Sequence, residues 1–312
     1  MRKLLLATMV SLVIAMAGVP AWAEEHVIPE VVVSIKPLHF LVSGVMEGVS
    51  EPQLLVKGGG SPHDYAMRPS DARMLADAEL IVWVGPQLES FLVKPLTTLG
   101  KKARQLEFGE VLESEMLPVR EGGAWGSGDH AHHLHSDQHH LVRDPHFWLD
   151  PHLAKQVVEK TAAELVAIDP VHSEQYLRNA AGLKGRLDTL DAELKIRLAP
   201  VRDIPYLVFH DAYQYFEVAY GLNVAGSVTA NPERRPGARG IAEIRQRIVK
   251  VQARCVFSEP QFEPRLVATV IEGTGARTGV LDPLGVELPA ETESYFRLMN
   301  HLADNLIRGL QD

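Results

Sequence analysis

The chain has 312 residues, with 31 Lys+Arg against 40 Asp+Glu, 14 histidines and a formal net charge of −9. That acidic balance argues against nucleic acid as a partner, and no basic cluster points to a membrane surface. The single cysteine, Cys255, excludes an internal disulfide, so stability rests on apolar cores, and the length favours two lobes over one.

Residues 1–23 read as a cleavable secretory signal. Arg2 and Lys3 form the basic start, Leu4 to Val19 is almost wholly apolar, and Ala21-Trp22-Ala23 has the small-x-small cleavage pattern. Cleavage removes those two bases and leaves 29 Lys+Arg against 40 acids. No cysteine stands near the cleavage point to take a lipid. A soluble exported protein is therefore expected, and the periplasm is the compartment that suits it.

Short β-branched runs then alternate with amphipathic stretches. Strands are predicted at Val31–Ile35, Gln53–Val56 and Leu80–Val84, with helices at Pro37–Glu47, Pro69–Asp77 and Leu88–Leu99. A helix over Pro151–Ile168 closes this first unit. Strand–helix alternation argues for a parallel sheet with helices on its faces. The segment Pro170–Leu198 follows, with Tyr176, Leu177, Leu183, Leu187, Leu190, Leu194 and Leu198 at three-to-four spacing. That is one long amphipathic helix, expected to act as a rigid spacer. The alternation then resumes. Strands are predicted at Tyr206–Phe209, Val224–Val228, Cys255–Phe257 and Val280–Leu281. Helices are predicted at Tyr213–Tyr220 and Ala238–Val251, from Pro264, and over Ser294–Leu310. The fold class is thus α/β, with two similar lobes joined by a long helix. The expected division is 24–169, 170–199 and 200–312, with a histidine-rich loop at 122–140. A pseudo-repeat supports the likeness of the lobes: Val82–Val93 aligns without gaps on Val256–Val267, with identity at six of twelve positions.

Seven of the 14 histidines fall between residues 130 and 146. His130, His132, His133, His135, His139 and His140 are interleaved with Gly, Ser and Asp, so they sit in a loop suited to weak, auxiliary metal binding. His146 stands apart, in Asp144-Pro-His-Phe-Trp-Leu-Asp-Pro151. His63, in Gly58-Gly-Gly-Ser-Pro-His-Asp-Tyr65, and His210, at the end of Tyr206-Leu-Val-Phe-His210, lie where the strands of an open sheet gather ligands. Asp282, in Leu281-Asp-Pro-Leu-Gly285, is equally readable as a fourth ligand or a turn former. Asp64, Asp150 and Asp211 are candidate acceptors for the second ring nitrogen of a metal-bound histidine. Three imidazoles with at most one carboxylate suit tetrahedral Zn²⁺, whereas Mn²⁺ calls for more oxygen.

These segments resemble the zinc-specific periplasmic solute-binding proteins of bacterial ABC importers, the ZnuA-type branch of the cluster 9 family. The resemblance rests on SPHDYAMRPSD at 61–71, LIVWVGPQLESF at 80–91, DPHFWLDP at 144–151, YLVFHDAYQYFE at 206–217, ARCVFSEPQF at 253–262 and LDPLG at 281–285. It implies metal held between two α/β lobes by His63, His146 and His210, with Asp282 at the acidic position that binds metal in the manganese-type relatives. It also implies a non-enzymatic role: capture of Zn(II) in the periplasm, as a monomer, for an inner-membrane permease. Two departures stand out. Pro62 occupies the place where some zinc members carry a glutamate ligand. Where some members join the cysteine of the ARCVF strand to one in the last helix, Cys255 faces Asn305 and the staple is missing. The alternatives left open are a manganese or iron importer component, an adhesin or metal buffer, and a secreted zinc hydrolase with Glu259 as its acid or base.

Overall fold

The computed structural model describes residues 28–120, 142–229, 232, 236–263 and 265–311. The expected signal segment, residues 1–23, and the six loop histidines lie outside those residues. In chain order the first lobe contains β1 (Val31–Val33), α1 (Lys36–Met46), β2 (Gln53–Leu54), α2 (Pro69–Asp77), β3 (Leu80–Trp83), α3 (Val93–Thr98), β4 (Arg104–Glu107), α4 (Phe108–Val111) and α5 (Pro151–Ile168). The long helix α6 spans Ser173–Leu198. The second lobe has β5 (Tyr206–His210), α7 (Gln214–Tyr220), β6 (Val224–Thr229), α8 (Ala238–Val251), β7 (Cys255–Ser258), α9 (Arg265–Ile271), β8 (Arg277–Val280) and α10 (Glu293–Gln311).

Both sheets are parallel, in the orders β2-β1-β3-β4 and β6-β5-β7-β8, so one topology is used twice. The two halves of the pseudo-repeat begin in β3 and β7, which hold equivalent places in the two sheets. Sequence reading missed β4 and α4, whose Arg104-Gln-Leu-Glu107 exposes its first two side chains and so lacks a β-branched core signal. It extended the third helix too far forward: Ser90–Leu92 is a 3₁₀ turn before α3. The last strand runs over Arg277–Val280, earlier than Val280–Leu281, because Cys255 to Ser258 pair with Arg277 to Val280 along its length.

Strand side chains alternate between two cores, as the two-residue period requires. Val31, Val33, Leu80, Val82, Tyr206, Val208 and Phe257 all belong to one continuous core that crosses from lobe to lobe through α1, α5, α6 and α10. Val32, Ile81 and Trp83 face a separate core under α2 and α3, while Leu207, Phe209 and Val256 face one under α8 and α9. The long helix is therefore more than a spacer. Tyr176, Ala180, Leu183, Leu187, Leu190, Leu194 and Leu198 are buried along one side, where α6 packs on α5 and α1. Leu177, expected on that side, is exposed. Burial of each such leucine is worth about 2 kcal/mol, and sliding one lobe on the other would disturb many of them together. A shared core of this kind resists large interlobe rotation.

The last helix corrects the cysteine reading. The α10 residue facing Cys255 is Gly309, not Asn305: a Cβ built on Gly309 would lie 3.2 Å from Cys255 Sγ. Cys255 is buried, and that burial pushes its thiol up to about 12.

Candidate metal centre

Each of the three histidines is placed by a local device. Ser61 Oγ accepts from the His63 backbone N–H at 3.2 Å and Pro62 starts the 3₁₀ turn Pro62–Asp64, so His63 is held just after Gly58-Gly-Gly60. Asp144 Oδ1 accepts from the His146 backbone N–H at 3.0 Å, the same arrangement with Asp in place of Ser. Six residues later Asp150 repeats it by capping α5 through the His152 N–H at 2.8 Å. His210 is the last residue of β5. In each sheet the strand order reverses between the first and third strands of its lobe, and ligands gather at that crevice. His210 ends β5 and Glu259 immediately follows β7, the two strands flanking the reversal.

The fold brings the three imidazoles together from positions 83 and 64 residues apart in sequence. Ring centroids are 5.7 Å apart for His63–His146, 5.8 Å for His63–His210 and 5.3 Å for His146–His210. One ring nitrogen from each lies within 4.8 Å of the others, and this is the one such cluster of potential ligands among the described residues. An ideal tetrahedron with Zn–N near 2.05 Å has an N···N edge of roughly 3.4 Å, so a small inward movement suffices.

Carboxylates settle the tautomers of two rings. His146 Nδ1 donates to Asp144 Oδ1 at 2.7 Å, and His210 Nδ1 donates to Glu259 Oε1 at 2.7 Å. An ionised carboxylate only accepts, so each Nδ1 carries the proton and each Nε2 keeps its lone pair. His210 Nε2 is buried without a hydrogen-bond partner among the described residues. Burial, aided by the neighbouring His146 and His210, drives the His63 pKa down to about 2, so this ring stays neutral. Burial also works to lower His210, but the charge and hydrogen bond of Glu259 outweigh it and the net direction is upward.

Two of the expected carboxylate acceptors, Asp211 and Asp150, are engaged elsewhere. Asp211 pairs with Arg120, whose Nε donates to Oδ2 at 2.9 Å and whose second nitrogen reaches Glu217 at 2.7 Å. Asp150 caps a helix. Asp144 was legible in sequence as the residue two before His146, in the same Ser/Asp-Pro-His form as Ser61-Pro62-His63. Glu259, 49 residues from His210, was not. Glu259 holds His210 through Oε1.

Asp282 is engaged elsewhere. Its Oδ1 accepts from Leu284 N and Gly285 N at 3.0 Å and from Gln261 Nε2 at 2.8 Å, and its Oδ2 accepts from Val286 N at 2.6 Å. It is absent from the clustered ligand group. Two cavities meet the histidines. One, of about 10 Å³, has mostly apolar walls that include Pro62, Leu88, Phe262 and Leu284. The other, of about 170 Å³, has Gln87, Arg120, Asp144, Asp211 and Ser227 among the side chains in its wall. The chemistry this permits is retention of one borderline-soft dication by neutral nitrogen donors, with Asp144 and Glu259 balancing its charge from behind two of the rings.

Comparison with known proteins identifies relatives of the whole chain. The family model described as zinc-uptake complex component A, periplasmic, matches residues 31–309. The chain is 47% identical over 300 residues to the high-affinity zinc uptake system protein ZnuA of Brucella abortus, covering 88% of this chain and 90% of that one. It is 37% identical to the Yersinia pestis protein of the same name, over 90% and 91% of the two chains. A crystal structure of ZnuA superposes with a TM-score of 0.74 at 23% identity, covering 89% of this chain and 98% of that one. The periplasmic zinc-binding protein TroA of Treponema pallidum gives 0.76 at 22% identity, covering 90% and 99%. The last two speak for the fold.

Proposed function

The chain belongs to the family of periplasmic zinc-uptake complex components, and on that premise we propose that His63, His146 and His210 are the ligands of the zinc ion it carries. The protein is the zinc-binding component of a zinc ABC importer. In our reading it captures Zn(II) as a monomer, after removal of residues 1–23, and presents it unchanged to the membrane permease. Residues 24–169 and 200–312 supply the two lobes, with 170–199 as the helix between them. No bond in the cargo is made or broken, so the site needs donors and no nucleophile. The supporting observation is the three-histidine cluster, two of whose rings are locked by buried carboxylates with Nε2 left as donor.

Three neutral imidazoles leave one position of a tetrahedron open, and with Asp282 bound by four donors we assign that position to water. The six histidines of the 122–140 loop form an auxiliary, weaker set. Elemental analysis of protein purified without added metal is expected to find one tight zinc per chain. Alanine at His63, His146 or His210 should remove it, whereas deletion of 122–140 should remove only weaker binding. Tight zinc that survives all three histidine substitutions would falsify the ligand assignment.

A further inference from the structure

Gln261 occupies a place that the histidines do not explain. It follows β7 in Ser258-Glu-Pro-Gln-Phe262 and lines the 10 Å³ cavity together with His63, His146 and His210. Its Nε2 donates to Asp282 Oδ1 at 2.8 Å. Because a carboxylate only accepts, that contact fixes which end of the amide is which: the NH₂ faces Asp282 and Oε1 is turned away from it. Oε1 is buried and has no hydrogen-bond partner among the described residues. A cavity of this size holds about one water. A buried carbonyl oxygen left without a donor is costly unless something arrives to donate to it.

The support behind Gln261 is equally definite. Asp282 is fixed by three backbone N–H groups of its own turn, those of Leu284, Gly285 and Val286. Carbonyls of the same turn accept from the first lobe: Lys36 Nζ, at the start of α1, donates to Leu288 O at 2.8 Å as well as to Val286 O and Gly285 O. Trp148, two residues after His146, donates from Nε1 to Pro283 O at 2.8 Å. The turn that holds Asp282 is thus pinned to both α1 and the His146 segment, and the carboxylate cannot leave without giving up four donors.

We propose that Gln261 is the positioning residue for the open coordination site: its Oε1 accepts from the water bound to the metal, and Asp282 acts at one remove, by orienting the Gln261 amide. The proposal rests on the three-histidine reading above and adds to it how the fourth position is filled. A donor water anchored on one side, beside Pro62, Leu88, Phe262 and Leu284, leaves no place there for further oxygen ligands.

The test uses the mature chain and three variants, Gln261→Leu, Asp282→Asn and the double variant, with Co²⁺ as a spectroscopic stand-in and Zn²⁺ for affinity. At saturating Co²⁺, Gln261→Leu is expected to shift the visible d–d bands, because the ligand water has lost its acceptor. Zinc affinity should fall roughly tenfold to a hundredfold, the usual consequence of removing an outer partner of a metal site. Asp282→Asn should move both readouts in the same direction, and the double variant should be no worse than the weaker binder of the two. Thermal melting of the metal-free proteins checks that each variant folds, and the d–d bands report coordination even in a destabilised one. Unchanged bands and unchanged affinity in Gln261→Leu overturn the proposal. So does an Asp282→Asn loss as deep as that of a histidine variant alongside a silent Gln261→Leu, which would make Asp282 itself the ligand. Retention of tight zinc by the histidine-to-alanine variants instead removes the underlying site, whatever Gln261 does.

Discussion

Replacing Glu259 by Gln separates charge from geometry at the His210 ligand. The amide oxygen can still accept from Nδ1, so the tautomer that leaves Nε2 free is kept. What is lost is a full negative charge on a side chain that is 2% exposed. The 2.7 Å Nδ1···Oε1 contact, the width of the ring and a Zn–N bond put carboxylate and metal ~6.5 Å apart. At an effective dielectric near 20, and with donation from its ligands reducing the charge on the dication to about one unit, the attraction is worth about 2.5 kcal/mol at that distance, a factor of roughly 70 in affinity. The expected outcome is a zinc Kd weakened between tenfold and a hundredfold, carried mostly by faster dissociation. Competition against a chromogenic chelator measures it. Trp148 gives an independent signal, since its ring centroid lies 5.3 Å from that of His146. A correctly folded Glu259→Gln protein that binds zinc within threefold of the parent would refute the view that this buried carboxylate tunes the ligand.

Two further outcomes follow from the same structure. With the His63 pKa depressed to about 2 and that of His210 raised, zinc binding at mildly acidic pH must displace a proton from His210 but none from His63. Affinity should therefore fall as pH drops through the His210 range. Calorimetry in buffers of different ionisation enthalpy should find clearly fewer than three protons released, and a value approaching three at pH 5.5 would contradict it. Gly309→Cys should form a disulfide with Cys255, because the 3.2 Å from a Cβ at 309 to Cys255 Sγ is close to the roughly 3 Å that an S–S bond requires. Closing that loop is worth about 4 kcal/mol by chain entropy. Part of this is offset because the new Cβ comes within 2.7 Å of the Phe257 ring, which must shift. A net gain of about 2 kcal/mol, lost on adding reductant, is the expected melting result, and thiols that stay free under oxidising conditions would rule the pairing out.

Local pattern and compositional bias carried much of this protein. Strand–helix alternation and the β-branched runs gave two parallel α/β lobes, since both faces of such strands are buried and their apolar residues run continuously. The long leucine-spaced helix was equally plain. His63, His146 and His210 could be singled out one by one, each in a turn or at a strand end. Other features are not written locally. Leu177 shares the spacing of the buried residues of α6 yet faces solvent, because only α5 and α1 decide which side is covered. Asn305 and Gly309 are one helical turn apart, and the packing of α10 on Phe257 and Cys255 chooses between them.

The same division runs through the metal centre. The types of the candidate donors, three histidines, could be read from the chain itself. Whether a given carboxylate binds metal, orients a histidine or caps a turn was decided by the folded state. Asp282 is a turn anchor because three backbone N–H groups of residues 284–286 converge on it. Glu259 orients His210 because β7 lies beside β5 at the point where the strand order reverses. Residue type is a property of the sequence, but an acceptor's role depends on which donors reach it first, and only the tertiary structure brings those donors within 3 Å.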